Sequence, residues 1–314
     1  MRCARRRSIY VIALAALVTI TALTAAVLGL YIAVIQRIDR IFLGSCGHLP
    51  AAPLAFPIDR PAGQAVGEYV ATLLAQLAPF AAATYNMYCS GGTAWIPAQT
   101  KMTRRLPHKA GFVLAHGPAL LIAFRGTFNF ADTLTDLNTR GVTVPWLPAE
   151  MRLHRGFSTR YAQVRAIVHD SVRVTQPSAV FVTGHSLGAA LSMLCLSDLA
   201  RNTSVRQLCG ALYACPKVGN RAFATGAFSG AMDRMAVGIV RNQMDAVPLM
   251  PPGLEQPYVH VDGGSSADGS GGACYHSFYH DDGSWGRNHR LSLYMAQIAT
   301  LAPTPDCAPA VGRE

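Results

Sequence analysis

Charge is scarce in these 314 residues: 14% of them are charged and 51% are apolar, and the mean hydropathy is positive. That balance excludes a disordered chain, and the lack of a collagen period or sustained heptads excludes fibrous folds. No internal repeat is present. The net charge of +10 points to nucleic acid only until it is located. Arg2, Arg5, Arg6, Arg7, Arg37 and Arg40 against Asp39 place half of it within residues 1–40. The remainder is spread over a chain with no extended Lys/Arg run and no DNA- or RNA-binding motif, so no nucleic-acid partner is expected. Zinc-ligand spacing and an acidic EF-hand loop are also missing, so no metal or other cofactor is called for.

Charge is absent altogether from Ile9 to Ile35. As a helix that stretch would reach about 40 Å, more than a hydrocarbon core of about 30 Å, and it can span with tilt. A cleaved signal peptide is the alternative, but its apolar region is usually about 7–15 residues. Leu43-Gly44-Ser45-Cys46 imitates a lipoprotein box, yet Arg37, Asp39 and Arg40 separate it from the apolar run. Four arginines precede the span and only two, offset by Asp39, follow it, which keeps the N-terminus cytosolic and puts the rest outside or in a lumen. Disulfides are then permitted among Cys46, Cys89, Cys195, Cys209, Cys215, Cys274 and Cys307, with at least one thiol left over. Ala22/Ala26, Ala25/Gly29 and Gly29/Ala33 are spacings through which the span could pair with another helix.

Three regions follow. Residues 1–40 form the basic flank and membrane anchor. Residues 41–62, with Pro50, Pro53, Pro57 and Pro61, read as an extended linker. Residues 63–314 form the folded domain. Within it, 64–88 has helical spacing, with Pro79 expected to kink or break it. Gly111–His116 and Ala119–Arg125 read as a hairpin around Gly117 and Pro118 or as two adjacent strands. Strand-like runs at 179–183, 211–214 and 237–240 alternate with helical stretches at 158–174, 187–201, 220–232 and 289–300, which argues an α/β fold with a mostly parallel sheet.

The sharpest pattern is an apolar strand, Ala179–Thr183, then Gly184-His185-Ser186-Leu187-Gly188, then an apolar helix. A serine on such a turn is pushed out over the sheet, and glycines flank it because a Cβ would collide with strand and helix. A serine hydroxyl is a poor nucleophile without a base and an orienting acid. Of the downstream acids, Asp245 stands out because it ends a strand-like run, where sites form on α/β sheets. Of His260, His276, His280 and His289, the last precedes a helical run. His276 and His280 fall beyond the glycine-rich stretch 262–272, in a segment expected to be a mobile loop, which suits a lid better than a base.

Phe124-Arg125-Gly126-Thr127, His154-Arg155-Gly156-Phe157, Thr183-Gly-His-Ser-Leu-Gly188, Cys215-Pro-Lys-Val-Gly-Asn220, Arg241–Pro252 and His289-Arg-Leu-Ser-Leu-Tyr294 stand in one order. In that order and spacing, residues 70–300 resemble the class 3 lipases, which include the filamentous-fungal triacylglycerol lipases. The resemblance implies an α/β-hydrolase fold and a triad of Ser186, Asp245 and His289. It also implies an oxyanion hole built from Thr127 and the N–H of Leu187. A lid over Phe128–Leu137 follows from it too, with Phe128, Phe130, Leu134 and Leu137 on its apolar face and Asp136 structural. A bridge between Cys89 and Cys307 is implied in the same way. Ala189 replaces a second glycine after the turn. Cys215 stands where relatives carry Ser or Gln, and it reads as a buried thiol.

The resulting expectation is a membrane-anchored serine hydrolase acting on lipid carboxylic esters, foremost acylglycerols, at a membrane or lipid-droplet surface. Phospholipase A1 or short-chain esterase activity would use the same residues, and a non-catalytic lipid-binding module is the reading outside enzymes. No protein partner is implied.

Overall fold

The computed structural model describes residues 55–57, 60, 64–86, 96–127, 141–251, 258–261, 264–265, 272–298 and 300. The expected span, most of the linker, the lid segment 128–137, and Cys46, Cys89 and Cys307 lie outside them.

The described residues build an eight-stranded sheet between two helical layers. In chain order the elements are α1 (Val66–Asn86), β1 (Lys101–Leu106), β2 (Gly111–His116), β3 (Ala119–Phe124), the short ribbon β4 (Gly141–Val142) and β5 (Leu153–His154), and α2 (Arg155–Thr175). Then come β6 (Ala179–His185), α3 (Leu187–Asn202), β7 (Gln207–Tyr213), α4 (Arg221–Gly226), β8 (Met235–Asn242), β9 (Gly264–Ser265), β10 (Gly272–Phe278), α5 (Trp285–Asn288) and α6 (Leu291–Ile298).

The sheet order is β1-β2-β3-β6-β7-β8-β10-β9. Its centre, β3-β6-β7-β8-β10, is parallel, and antiparallel pairs close both edges. A central strand buried on both faces must be apolar at every position, and side-chain alternation then sorts it between two cores. Leu120, Ile122, Phe124, Val180 and Val182 pack with α2 and α3. Leu121, Ala123 and Phe181 pack with α1 and α6 on the opposite face. The edge strand β1 instead shows Lys101, Arg104 and Arg105 to solvent, charges that discourage pairing with another chain.

Four expectations change. Helix α1 runs on through Pro79, because the apolar face that includes Leu73, Leu74, Leu77 and Phe80 is fully buried against the sheet and its packing outweighs one missing backbone bond. Phe56, assigned to the linker, stacks on His116 at 4.7 Å and meets Phe80 and Phe181 edge-on, so the domain's packing begins before residue 63. The stretch 220–232 is helical only over Arg221–Gly226, with a 3-10 turn at Met232–Arg234. His276 lies on β10, parallel to β8, rather than in a loop.

Among the described residues α1 alone is long and apolar enough to cross a membrane. Its apolar face belongs to the domain core.

Candidate active site

Strand β6 ends at His185 and α3 starts at Leu187, which leaves Ser186 alone on the turn. Its backbone sits at φ +60° and ψ −126°, a region that costs a non-glycine residue about 1–3 kcal/mol and that packing must enforce. The enforcement is visible on both sides. A Cβ on Gly184 would stand 2.3 Å from the carbonyl oxygen of Gly188, and one on Gly188 would stand 2.3 Å from that of Phe124. The strand, the turn and the helix therefore touch backbone to backbone. The Ser186 N–H donates to the Tyr213 carbonyl at 3.0 Å, while the Ser186 carbonyl accepts from Ala189 and Ala190.

Asp245 follows β8 by three residues, and His289 lies between α5 and α6. Sequence spacing alone selected both, and they meet: Nδ1 of His289 is 2.7 Å from Oδ2 of Asp245, with both side chains almost fully buried. The other carboxylate oxygen accepts the Val247 N–H at 2.9 Å. The phenol of Tyr294, on α6, donates to Oδ2 at 2.7 Å. Burial and the Asp245 charge hold that phenol well above its usual range, so it stays a donor.

Asn242 joins the loops that carry Asp245 and His289. Its side-chain amide donates to the carbonyls of His280 and Asn288, and its oxygen accepts the N–H groups of Met244 and His280. Asn288, next to His289, reaches back to Met244 and Asp281. Spacing could not reveal these residues, although an Asn at a strand end just before Asp245 is the kind of residue that pins loop backbone.

His185, one of the turn residues with Gly184 and Gly188, crosses to His289. Its ring lies 4.5 Å from that of His289, and its Nε2 is 2.8 Å from the His289 carbonyl oxygen. The serine's immediate neighbour in sequence is thus in contact with the His289 ring. Tyr85, on the last turn of α1, was not foreseen at all, and its hydroxyl meets Nδ1 of His185 at 2.9 Å.

Thr127 lies three residues beyond the end of β3, whose Phe124 is in register with Gly184 on β6. Its hydroxyl oxygen is buried and, among the described residues, has no hydrogen-bond partner. Leu187 is the first residue of α3, where backbone N–H groups have no partner within the helix. Both donors therefore stand at the same end of the sheet as Ser186.

His260 and His276 stand apart from this cluster. Burial, with Arg241 and Lys217 nearby, lowers His260 to about 4, and burial also lowers His276. His280 enters only through its backbone contacts with Asn242. Cys215 and Cys195 are buried free thiols, the buried Cys209 sulfur lies 3.6 Å from the Tyr69 hydroxyl, and Cys274 is disulfide-bonded. Among the described residues no group of three or more His, Cys, Asp or Glu side chains could hold a metal ion. A surface cleft of about 730 Å³ opens between the C-terminal ends of α2 and α3, lined by His169, Arg173 and Asn202 among others. It lies at the opposite end of the sheet from Ser186.

Comparison with known proteins converges on one group. Residues 121–255 match the profile of Lipase (class 3). A lipase of Rhizomucor miehei is 33% identical over 141 residues, covering 42% of this chain and 38% of that protein. "Phospholipase A1-II 4" of Oryza sativa subsp. japonica is 25% identical over 214 residues, covering 56% of this chain and 53% of that protein. The chain thus spans about half or less of the length of these relatives. The solved Rhizomucor miehei lipase propeptide complex superposes with a TM-score of 0.51 at 20% identity, covering 76% of this chain and 80% of that one, and it shares the fold. The motif order, the sheet topology and the profile match agree, and over residues 121–255 the chain is similar to the class 3 lipases.

Proposed function

We propose that this protein is a serine hydrolase that cleaves carboxylic esters of lipids, foremost acylglycerols, through Ser186, His289 and Asp245. The observation that carries the reading is the buried His289–Asp245 pair at 2.7 Å, together with a serine held in a strained turn. A carboxylate on Nδ1–H leaves Nε2 as the bare nitrogen, the tautomer a general base requires. Ser186 Oγ then attacks the acyl carbonyl while His289 takes its proton. The tetrahedral oxyanion is met by Thr127, through its N–H and hydroxyl, and by the N–H of Leu187. Collapse expels the alcohol, protonated by His289. Water, deprotonated by the same imidazole, releases the fatty acid from the acyl-enzyme. No cofactor enters these steps.

The segment 128–137 is proposed as a lid, with Phe128, Phe130, Leu134 and Leu137 as its apolar residues. Residues 9–35 are proposed as the anchor, the stretch from 41 up to Phe56 as a tether, and the remainder as the catalytic domain outside the cytosol. The disulfide at Cys274 fits an oxidising compartment. Phospholipase A1 activity is the second reading, favoured by the name of the rice relative. Full-length protein in detergent, offered triacylglycerol, diacylglycerol and phosphatidylcholine in mixed micelles, separates the two. Fastest release of fatty acid from an acylglycerol supports the first reading, and fastest release from the sn-1 position of phosphatidylcholine replaces it. N-terminal sequencing tests the anchor, because a mature start beyond about residue 25 means secretion.

A further inference from the structure

The contacts of His185 determine where its proton sits. A backbone carbonyl can only accept, so the 2.8 Å contact with the His289 oxygen requires a hydrogen on Nε2 of His185. Burial and the neighbouring His289 push the His185 imidazole well below its usual range, so the ring is neutral and Nδ1 is bare. Tyr85, 2.9 Å from Nδ1, must then donate its hydroxyl hydrogen there. The Tyr85 oxygen in turn accepts from the backbone N–H of Gly126. Gly126 is what permits this approach, since a Cβ there would stand 1.9 Å from the Tyr85 oxygen and 2.6 Å from the His185 carbonyl.

The donors thus all point one way: Gly126 N–H to Tyr85, Tyr85 O–H to His185 Nδ1, His185 Nε2–H to the His289 carbonyl. The chain begins in the loop that carries Thr127, passes through the residue before the nucleophile, and ends on the backbone of the base. We propose that His185, held by Tyr85 as its Nε2–H tautomer, is a positioning residue that fixes the His289 main chain relative to both Ser186 and the Thr127 loop. This rests on the hydrolase reading above. His185 is not itself the nucleophile, the base or the orienting acid. Its effect is on the angle at which the imidazole of His289 meets the serine, and a misplacement of about 1 Å at such a site costs up to about 100-fold in rate.

The test is steady-state hydrolysis of a soluble nitrophenyl ester by the full chain in detergent, with melting curves for each variant. His185→Phe keeps a ring but loses both hydrogen bonds, and kcat should fall at least about 10-fold with KM within about twofold. His185→Gln keeps a donor for the His289 carbonyl and should recover most of the loss, which a purely packing role would not allow. Tyr85→Phe should lower kcat by a smaller factor and add nothing to His185→Phe, because both break the same chain. Should His185→Phe fail to fold, Tyr85→Phe and His185→Gln still decide: wild-type kcat in folded Tyr85→Phe overturns the proposal, as does a His185→Gln variant with kcat at least about 10-fold below wild type. A wild type that turns over no ester and takes no fluorophosphonate defeats the hydrolase reading itself, whereas an active wild type with unaffected variants defeats only this inference.

Discussion

Tyr294 donates its phenol to Oδ2 of Asp245, the same oxygen that faces Nδ1 of His289, and both contacts measure 2.7 Å. One carboxylate oxygen therefore serves a helix and a loop, and the Tyr294 oxygen itself accepts the Asn242 N–H at 3.0 Å. Tyr294→Phe should leave that N–H buried and unpaired, lowering stability by about 1–3 kcal/mol and slowing turnover. Asp245→Asn should cost far more activity, on the order of 10⁴ in kcat, because the amide favours the wrong imidazole tautomer. Denaturant titration and ester turnover on the same samples check both.

Thr127 is the position at which activity and stability should separate. Its hydroxyl makes no hydrogen bond among the described residues, so Thr127→Ala should melt within a degree or two of wild type. Loss of one oxyanion donor costs about 10²–10³ in kcat, and Thr127→Ser should restore most of it. Unchanged turnover in Thr127→Ala would remove the hydroxyl from the oxyanion hole.

Gly188 should tolerate no side chain. A Cβ there meets the Phe124 carbonyl oxygen at 2.3 Å, and backbone on both sides cannot step away as a flexible side chain could. Gly188→Ala should lose at least about 2 kcal/mol of stability, at the high end for overpacking, or yield no folded protein. A wild-type melting curve would show that the turn is looser than its contacts imply.

Asp198 anchors α3 to α2 far from Ser186. Fully buried, it accepts from Tyr161, from Arg165 twice, from His169 and from Asn202 at 2.7–3.0 Å. Burial alone would raise its pKa, but the hydrogen bonds from His169 and Arg165, the His169 charge and the Tyr161 hydroxyl outweigh it and hold the carboxyl below the ordinary range. A depressed folded pKa gives stability that is present above the unfolded value of about 4 and lost as pH falls through the folded one. Asp198→Asn should therefore be much less stable than wild type at neutral pH, by about 3–5 kcal/mol, and the gap should narrow steadily below pH 4. A gap that does not change with pH would place the stabilisation in packing rather than charge.

How far the sequence reached depended on whether a feature is written locally. The turn at 184–188 was legible because the apolar strand before it and the apolar helix after it are contiguous with it. Asp245 and His289 were legible because each stands at the edge of a periodic run. Strand β1 was not, since Lys101, Arg104 and Arg105 at a solvent edge carry no apolar alternation. Strand β10 was hidden by its glycine-rich approach, and its pairing with β8 decides what its own residues leave open. Tyr85 was beyond reach for another reason: its hydroxyl acts on a residue 100 positions away, and nothing in a helix's periodicity says what its last turn touches. Pro79 shows the reverse case, where a strong local signal gives way to burial of a whole helix face.

The central claim is that Ser186 is activated by His289. The most direct measurement is labelling by a fluorophosphonate probe, which needs an activated serine but no particular substrate, applied to folded wild type, Ser186→Ala and His289→Ala. The account predicts rapid labelling of wild type, none of Ser186→Ala, and a loss of at least about 10³-fold in labelling rate for His289→Ala. A folded wild type that stays unlabelled in detergent, or a His289→Ala variant that labels at the wild-type rate, would contradict it.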